Sequence, residues 1–242
     1  MAVERVQLIC FPYAGAGAAA YRGWQSLLPH WIELIPLELP GRGLRQVEPA
    51  VQDWDELIDI VMSSVRMRAR GSVALFGHSM GALVAIELAY ALRACGGPAP
   101  LWVGASGCVA PQRRELDLTW LDCPDEKLVT ELRSLGGTPP EVLECRDLLD
   151  LILPAVRADF HLCGSYRPAR RAPLDCPLLV LGGDRDPISR SYGNLSAWSL
   201  ETNGQCRVKL LDGGHFFIHE REASVIDLVI SSLAKREPAL VW

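Results

Sequence analysis

No two of the eight cysteines stand close enough to form a Cys-x-x-Cys pair, which argues against zinc ribbons and thioredoxin-like redox motifs. Cys10, Cys95, Cys108, Cys123, Cys145, Cys163, Cys176 and Cys206 are scattered one per segment beside apolar residues. That usage reads as reduced, mostly buried small side chains and points to a cytoplasmic setting. Positive charge is not in excess either. The net charge of −5 has the wrong sign for a nucleic-acid binder. Aromatic residues are scarce, at 7%, so the core must be mostly aliphatic. The longest apolar stretch, residues 73–92, contains His78, Glu87 and a strand-to-helix break, so it is not a membrane span. The first five residues, Met1-Ala2-Val3-Glu4-Arg5, lack the basic region and apolar core of a signal peptide.

What is present is a chain of 242 residues, 49% hydrophobic. Hydrophobicity that high excludes disorder as the main state, and the length fits one large α/β domain or two smaller ones. Short apolar runs at Val6–Phe11, Ile32–Leu37, Val73–Phe76, Leu101–Ala105, Leu178–Leu181 and Val208–Leu211 read as strands. Most are continuous rather than alternating, as expected for strands covered on both faces. Helical patterns at Asp53–Arg68, Met80–Arg93 and Glu220–Lys235 lie between or after them, and Arg66, Arg68 and Arg70 suit the C-terminal end of the first. Strand–helix alternation with buried strands predicts a mostly parallel sheet with right-handed crossovers.

Roughly 70 residues between the fourth and fifth strands break this rhythm. They read as helices over Pro124–Leu135, Glu141–Leu149 and an apolar stretch to Phe160, which Pro154 should kink or split. Gly136-Gly137-Thr138-Pro139-Pro140 is a strong breaker. A long insertion in a compact domain is usually functional, and residues 112–170 are expected to form a lid.

The sharpest chemical signal is Gly77-His78-Ser79-Met80-Gly81, a G-x-S-x-G pattern with an apolar strand before it and an apolar helix after it. A tight strand-to-helix turn presents the serine hydroxyl at the C-terminal edge of the sheet. A serine hydroxyl is a poor nucleophile until a base takes its proton. Of the five histidines, His78 lies inside the turn and faces away from Ser79. His30 precedes the second strand, and His161 falls in the insertion. His215, in Asp212-Gly213-Gly214-His215-Phe216, follows the last strand at the same sheet edge and is the candidate base. His219 lies four residues on, but Phe216-Phe217-Ile218 supplies no further ligand, so no metal site is expected.

The fold that carries such an elbow orders its residues serine, acid, histidine. The fifth strand leads into Gly182-Gly183-Asp184-Arg185-Asp186-Pro187. Asp186, further round the loop, is favoured as the acid, with Asp184 as a turn former bonded to nearby amides. Asp175 precedes its strand, and Asp212 sits at a strand end beside the base. An oxyanion needs preorganised N–H donors. Met80, after the nucleophile, supplies one. The loop Pro12-Tyr13-Ala14-Gly15-Ala16-Gly17 supplies the other from Ala14, with Tyr13 as the near alternative. Read instead as a dinucleotide loop, Gly15-x-Gly17-x-x-Ala20 lacks its third glycine and a convincing acidic ribose partner.

With these residues assembled, the chain resembles the type II thioesterases, the stand-alone editing enzymes of nonribosomal peptide and polyketide synthesis. The resemblance runs from about Leu8 to Ser232. It is carried by the motifs at Phe11–Gly17, Leu39–Gly43 (LPGRG), Gly77–Ala82, Leu135–Leu143 (LGGTPPEVL), Gly182–Pro187 and Gly213–Ile218. Ala16 departs from the second glycine that the family more often shows. The resemblance implies an α/β-hydrolase fold: a single domain over residues 1–242 with the helical lid inserted. It implies a Ser79–His215–Asp186 triad hydrolysing misloaded acyl or aminoacyl groups from the phosphopantetheine arm of carrier proteins, with no cofactor or metal. A carboxylesterase or acyltransferase with the same triad, or a non-catalytic carrier-binding protein, are the rival readings. Carrier proteins are commonly acidic, so docking calls for a local basic patch. Arg113-Arg114 and Arg167, Arg170 and Arg171 bracket the insertion as a candidate rim. A monomer is the default expectation.

Overall fold

A computed structural model describes residues 5–234. Residues 1–4, which the N-terminal reading relies on, and Lys235, at the expected end of the last helix, lie outside the described residues. Six strands, β1 (Val6–Phe11), β2 (Ile32–Pro36), β3 (Ser72–His78), β4 (Trp102–Ser106), β5 (Leu178–Gly183) and β6 (Cys206–Leu211), form one sheet in the order β2-β1-β3-β4-β5-β6. Every pairing is parallel. This is the α/β-hydrolase arrangement.

Among the helices, α1 (Trp54–Arg68) starts where the sequence marks it. The Asp53 carboxylate accepts from the amides of Asp55 at 2.9 Å and Glu56 at 3.0 Å, capping otherwise unpaired donors. Arg66 and Arg68 fall in its last turn, as expected for the negative end of the helix dipole. α2 (Met80–Ala94) is apolar nearly all round and is buried between the sheet and α1.

The apolar strand residues divide between the two sheet faces by simple alternation. Ile9, Phe11, Val73 and Leu75 pack with α1 and α2. Leu8, Cys10, Ala74 and Phe76 pack on the other face with Tyr21, Trp24, Trp102 and the last helix. On this second face Phe76 and Trp102 stack and Trp24 and Tyr21 meet edge-on.

The insertion holds α3 (Asp125–Leu135), α4 (Pro140–Leu143) and α5 (Arg146–Ser165) around a small core of its own, formed by Leu128, Leu132, Leu143, Leu153, Val156 and Phe160. α5 runs through Pro154 without splitting; of the two expected effects, a kink or a split, the split does not occur. An interior proline costs about 3 kcal/mol. Burying Leu153, Val156 and Phe160 on the same helix returns roughly 1.5–3 kcal/mol each, which outweighs it. Beyond the insertion come α6 (Tyr192–Ser196), α7 (Phe217–Glu220) and α8 (Glu222–Ala234). The last of these matches the helix expected from Glu220, and the short α7 before it is unexpected. No described helix is long and apolar enough to cross a membrane.

In chain order β1 is followed by β2 on one side and then by β3 on the other. The strand order therefore reverses between β1 and β3. Crevices at such a switch point, outside the carboxyl ends of the strands, are where open α/β sheets bind ligands.

Candidate active site

The turn after β3 has the geometry that the glycines of GHSMG require. Ser79 has φ 54° and ψ −117°, and it is the one non-glycine residue with positive φ among the described residues. Its amide donates to the Ser106 carbonyl at 2.7 Å. A β-carbon on Gly77 would lie 1.8 Å from the Gly81 carbonyl oxygen, and one on Gly81 would lie 2.1 Å from that of Phe11. The strand, the helix and the loop after β1 thus meet backbone to backbone, and the serine is held at the switch-point crevice.

His215 and Ser79 line the same cavity. The imidazole is buried, and its Nδ1 lies 3.0 Å from the Asp186 carboxylate. An ionised carboxylate can only accept, so Nδ1 carries a proton, and in the neutral ring Nε2 keeps its lone pair. Asp186 is fully buried. Burial pushes its carboxyl up, but the His215 bond, the Ser189 hydroxyl and the Ile188 amide outweigh this and hold it below the ordinary carboxylate value.

Asp184 accepts from the Gly213 amide at 3.0 Å. It ties its own turn to the His215 loop across 29 residues, a longer reach than the local turn expected of it. Asp212 is at the surface, ion-paired with Arg185 and Arg221.

His78 is absent from the lining of the cavity that Ser79 lines, as its place in the turn suggests, and its partners give it a task that no local motif announces. Its Nε2 lies 3.0 Å from the His215 carbonyl oxygen and its Nδ1 2.9 Å from the Ser106 hydroxyl. A carbonyl only accepts, so Nε2–H donates to it and the Ser106 hydroxyl donates to Nδ1. Burial and the neighbouring His215 keep the His78 pKa well below the ordinary histidine value, so the ring stays neutral. Gly107, at φ +63°, leaves room for it, since a β-carbon there would lie 2.4 Å from the ring. No local pattern could have shown this, because His78 and His215 are 137 residues apart. His219, four residues beyond His215, faces the Tyr13 hydroxyl at 3.0 Å.

The Ala14 and Met80 amides have no protein acceptor among the described residues. Ala14 lies in a turn closed by the Ala16 amide donating to the Tyr13 carbonyl at 3.0 Å. The cavity above is about 420 Å³ and mostly apolar, with Leu132, Leu135, Val142, Ile152, Val156 and Phe160 of the insertion facing Ser79, His215 and Ala14. Gly137, in the expected breaker, lies so close to Phe216 that a β-carbon would come within 2.1 Å of the ring.

Two of the five candidate docking arginines serve the fold instead. Arg114 is partly buried and donates to the Cys163 carbonyl at 2.8 Å. Arg171 pairs with Glu87 and lies over the Tyr90 ring. Each finds an internal acceptor that the sequence pattern does not reveal. Arg113, Arg167 and Arg170 are exposed.

The family model described as "Thioesterase domain" matches residues 6–233. The chain belongs to the thioesterase domain family. This thioesterase is 35% identical to the gramicidin S biosynthesis protein GrsT of Aneurinibacillus migulanus, over 95% of this chain and 89% of that one. Among solved structures it is similar to the RedJ thioesterase from the prodiginine pathway of Streptomyces coelicolor, with a TM-score of 0.88 and 35% identity, covering 96% of this chain and 91% of that one. It is also similar to BorB, a type II thioesterase from the borrelidin biosynthetic cluster, with a TM-score of 0.86 and 34% identity over 95% and 93% of the two chains.

Proposed function

We propose that this thioesterase hydrolyses stalled or aberrant acyl and aminoacyl thioesters from the phosphopantetheine arms of carrier proteins in nonribosomal peptide or polyketide synthesis. The observation that carries the reading is a strained serine sharing an apolar cavity with a histidine whose far nitrogen is held by a buried carboxylate. End-to-end similarity to thioesterases of such pathways supports the substrate class.

In this mechanism Ser79 Oγ attacks the thioester carbonyl while His215 Nε2 takes its proton. Asp186 keeps the ring in the required tautomer and stabilises the imidazolium. The Met80 and Ala14 amides hold the oxyanion. The tetrahedral intermediate collapses, the pantetheine thiolate leaves and takes the proton from His215, and Ser79 is acylated. Water then attacks the acyl-serine while His215 takes its proton; as the second tetrahedral intermediate collapses, the Ser79 Oγ–acyl bond breaks, Oγ takes that proton from His215, and the free acid departs. No metal or cofactor enters these steps. Residues 112–170 act as a lid on a single hydrolase domain, with α3 to α5 bounding the acyl chamber. Exposed Arg113, Arg167 and Arg170 flank this lid where an acidic carrier would dock.

The rival oxygen-ester hydrolase uses the same triad, so substrate preference separates the two. The expected result is a kcat/KM for acyl-loaded carrier protein at least about tenfold above that for the matching p-nitrophenyl ester, a gap of about 1.4 kcal/mol in transition-state binding. Fast turnover of the ester with an inert acyl-carrier would favour the esterase.

A further inference from the structure

The LPGRG motif has no part in the chemistry above, yet its arginine is buried beside the site. Arg42 is 6% exposed and Asp159, on α5, is 1% exposed. The guanidinium grips the carboxylate with both terminal nitrogens, Nη2 lying 2.9 Å from Oδ1 and Nη1 also bonded to Oδ2. Both partners then reach the loop after β1. Asp159 Oδ2 accepts from the Gly15 amide at 2.7 Å, and Arg42 Nη1 donates to the Ala16 carbonyl at 3.3 Å. Gly15 has φ +77°, and a β-carbon on it would lie 2.9 Å from Val156 of α5.

We infer that Arg42 and Asp159 are positioning residues which hold the oxyanion-binding amide of Ala14 in its working orientation and couple it to the lid helix α5. The inference rests on the proposed role of Ala14. The peptide unit that joins Ala14 to Gly15 is the one whose N–H Asp159 binds. Fixing that plane fixes the backbone on the C-terminal side of Ala14. The turn from Tyr13 to Ala16 is then held at its closing bond, at the Gly15 amide and at the Ala16 carbonyl. A buried ion pair adds little net stability over a well-packed apolar pair, so stability alone gives weak reason for this one. Geometry gives a stronger reason, because an oxyanion donor acts only when aimed at the developing charge. Asp159 belongs to the insertion, so displacement of α5 would release the Gly15 amide and loosen the oxyanion site.

The test compares two charge-free replacements. Arg42→Met with Asp159→Asn keeps an acceptor for the Gly15 amide, whereas Arg42→Met with Asp159→Leu removes it. With a small acyl thioester, the asparagine variant should keep kcat within about tenfold of the wild type. The leucine variant should lose about 100-fold in kcat, the cost of one oxyanion donor, with KM changed less than about threefold. Its affinity for an acyl trifluoromethyl ketone, which forms a tetrahedral adduct, should fall in step with kcat. Its affinity for the unreactive thioether analogue should hold. Equal kcat in the two variants, or parallel loss of both affinities, would overturn the inference. Arg42→Lys gives a second reading should the leucine variant not fold. It keeps the charge but loses the forked grip, and kcat should fall about tenfold at unchanged KM; a wild-type kcat contradicts the inference. Replacing the Ala14 amide by an ester separates the premise. Full activity of the ester removes the oxyanion reading itself, whereas a 100-fold loss beside fully active Asp159 variants removes only the positioning role.

Discussion

Thioesterase carrying Ser79→Gly is expected to melt about 2–4 °C higher than the wild type while its turnover falls by about 10⁶. The two halves of this result have one cause. Ser79 sits at φ 54° and ψ −117°, a conformation that costs a residue with a β-carbon about 1–3 kcal/mol. Glycine adopts it freely but loses roughly 0.5–1 kcal/mol more chain entropy on folding, which leaves a gain of about 1 kcal/mol. Serine is kept there because the proposed nucleophile must stand at the edge of the cavity it shares with His215. Ser79→Ala should match the glycine variant in lost activity without the rise in melting temperature, since alanine keeps the strained β-carbon. A glycine variant that melts below the wild type would show that the turn is not strained. Thermal melts and kcat on a small acyl thioester measure both effects.

Asp186→Asn is expected to lower kcat by about 10⁴. The Asp186 carboxylate can only accept, which forces the His215 proton onto Nδ1. An asparagine amide can present N–H instead, which stabilises the tautomer with Nε2 protonated and unable to take a proton from Ser79. The substitution also has a pH signature. The folded-state pKa of Asp186 is depressed, because burial, which raises it, is outweighed by His215, Ser189 and Ile188. Its contribution to stability is therefore present above the unfolded-state pKa and is lost as pH falls through the folded value. The melting-temperature gap between wild type and Asp186→Asn should be widest near neutral pH and narrow as the solution is acidified. A gap that widened in acid would mean that Asp186 is not a stabilised anion.

Features set by local pattern could be read from the sequence. The strands announce themselves as continuous apolar runs because both sheet faces are covered, and Gly77 and Gly81 mark the elbow because only glycine fits where backbones touch. Chain order then singled out His215 and Asp186, which the fold brings within 3.0 Å. What escaped the sequence depends on partners far along the chain. His78 supports the His215 backbone from 137 residues away, and Arg42 meets Asp159 across 117. Neither residue type signals its partner. Arg114 and Arg171 look like surface charges until the Cys163 carbonyl and Glu87 are seen beside them. Pro154 is the opposite case: its local preference against a helix interior is real, but the packing of the insertion keeps α5 in one piece.

The decisive assay of Ser79-dependent deacylation is acyl-loaded carrier protein incubated with wild type or Ser79→Ala and followed by intact-protein mass spectrometry. With the wild type the carrier is expected to lose the acyl mass and return to its holo form, while Ser79→Ala leaves it loaded. Deacylation by Ser79→Ala at the wild-type rate, or a carrier left loaded by the wild type, would contradict the proposed function.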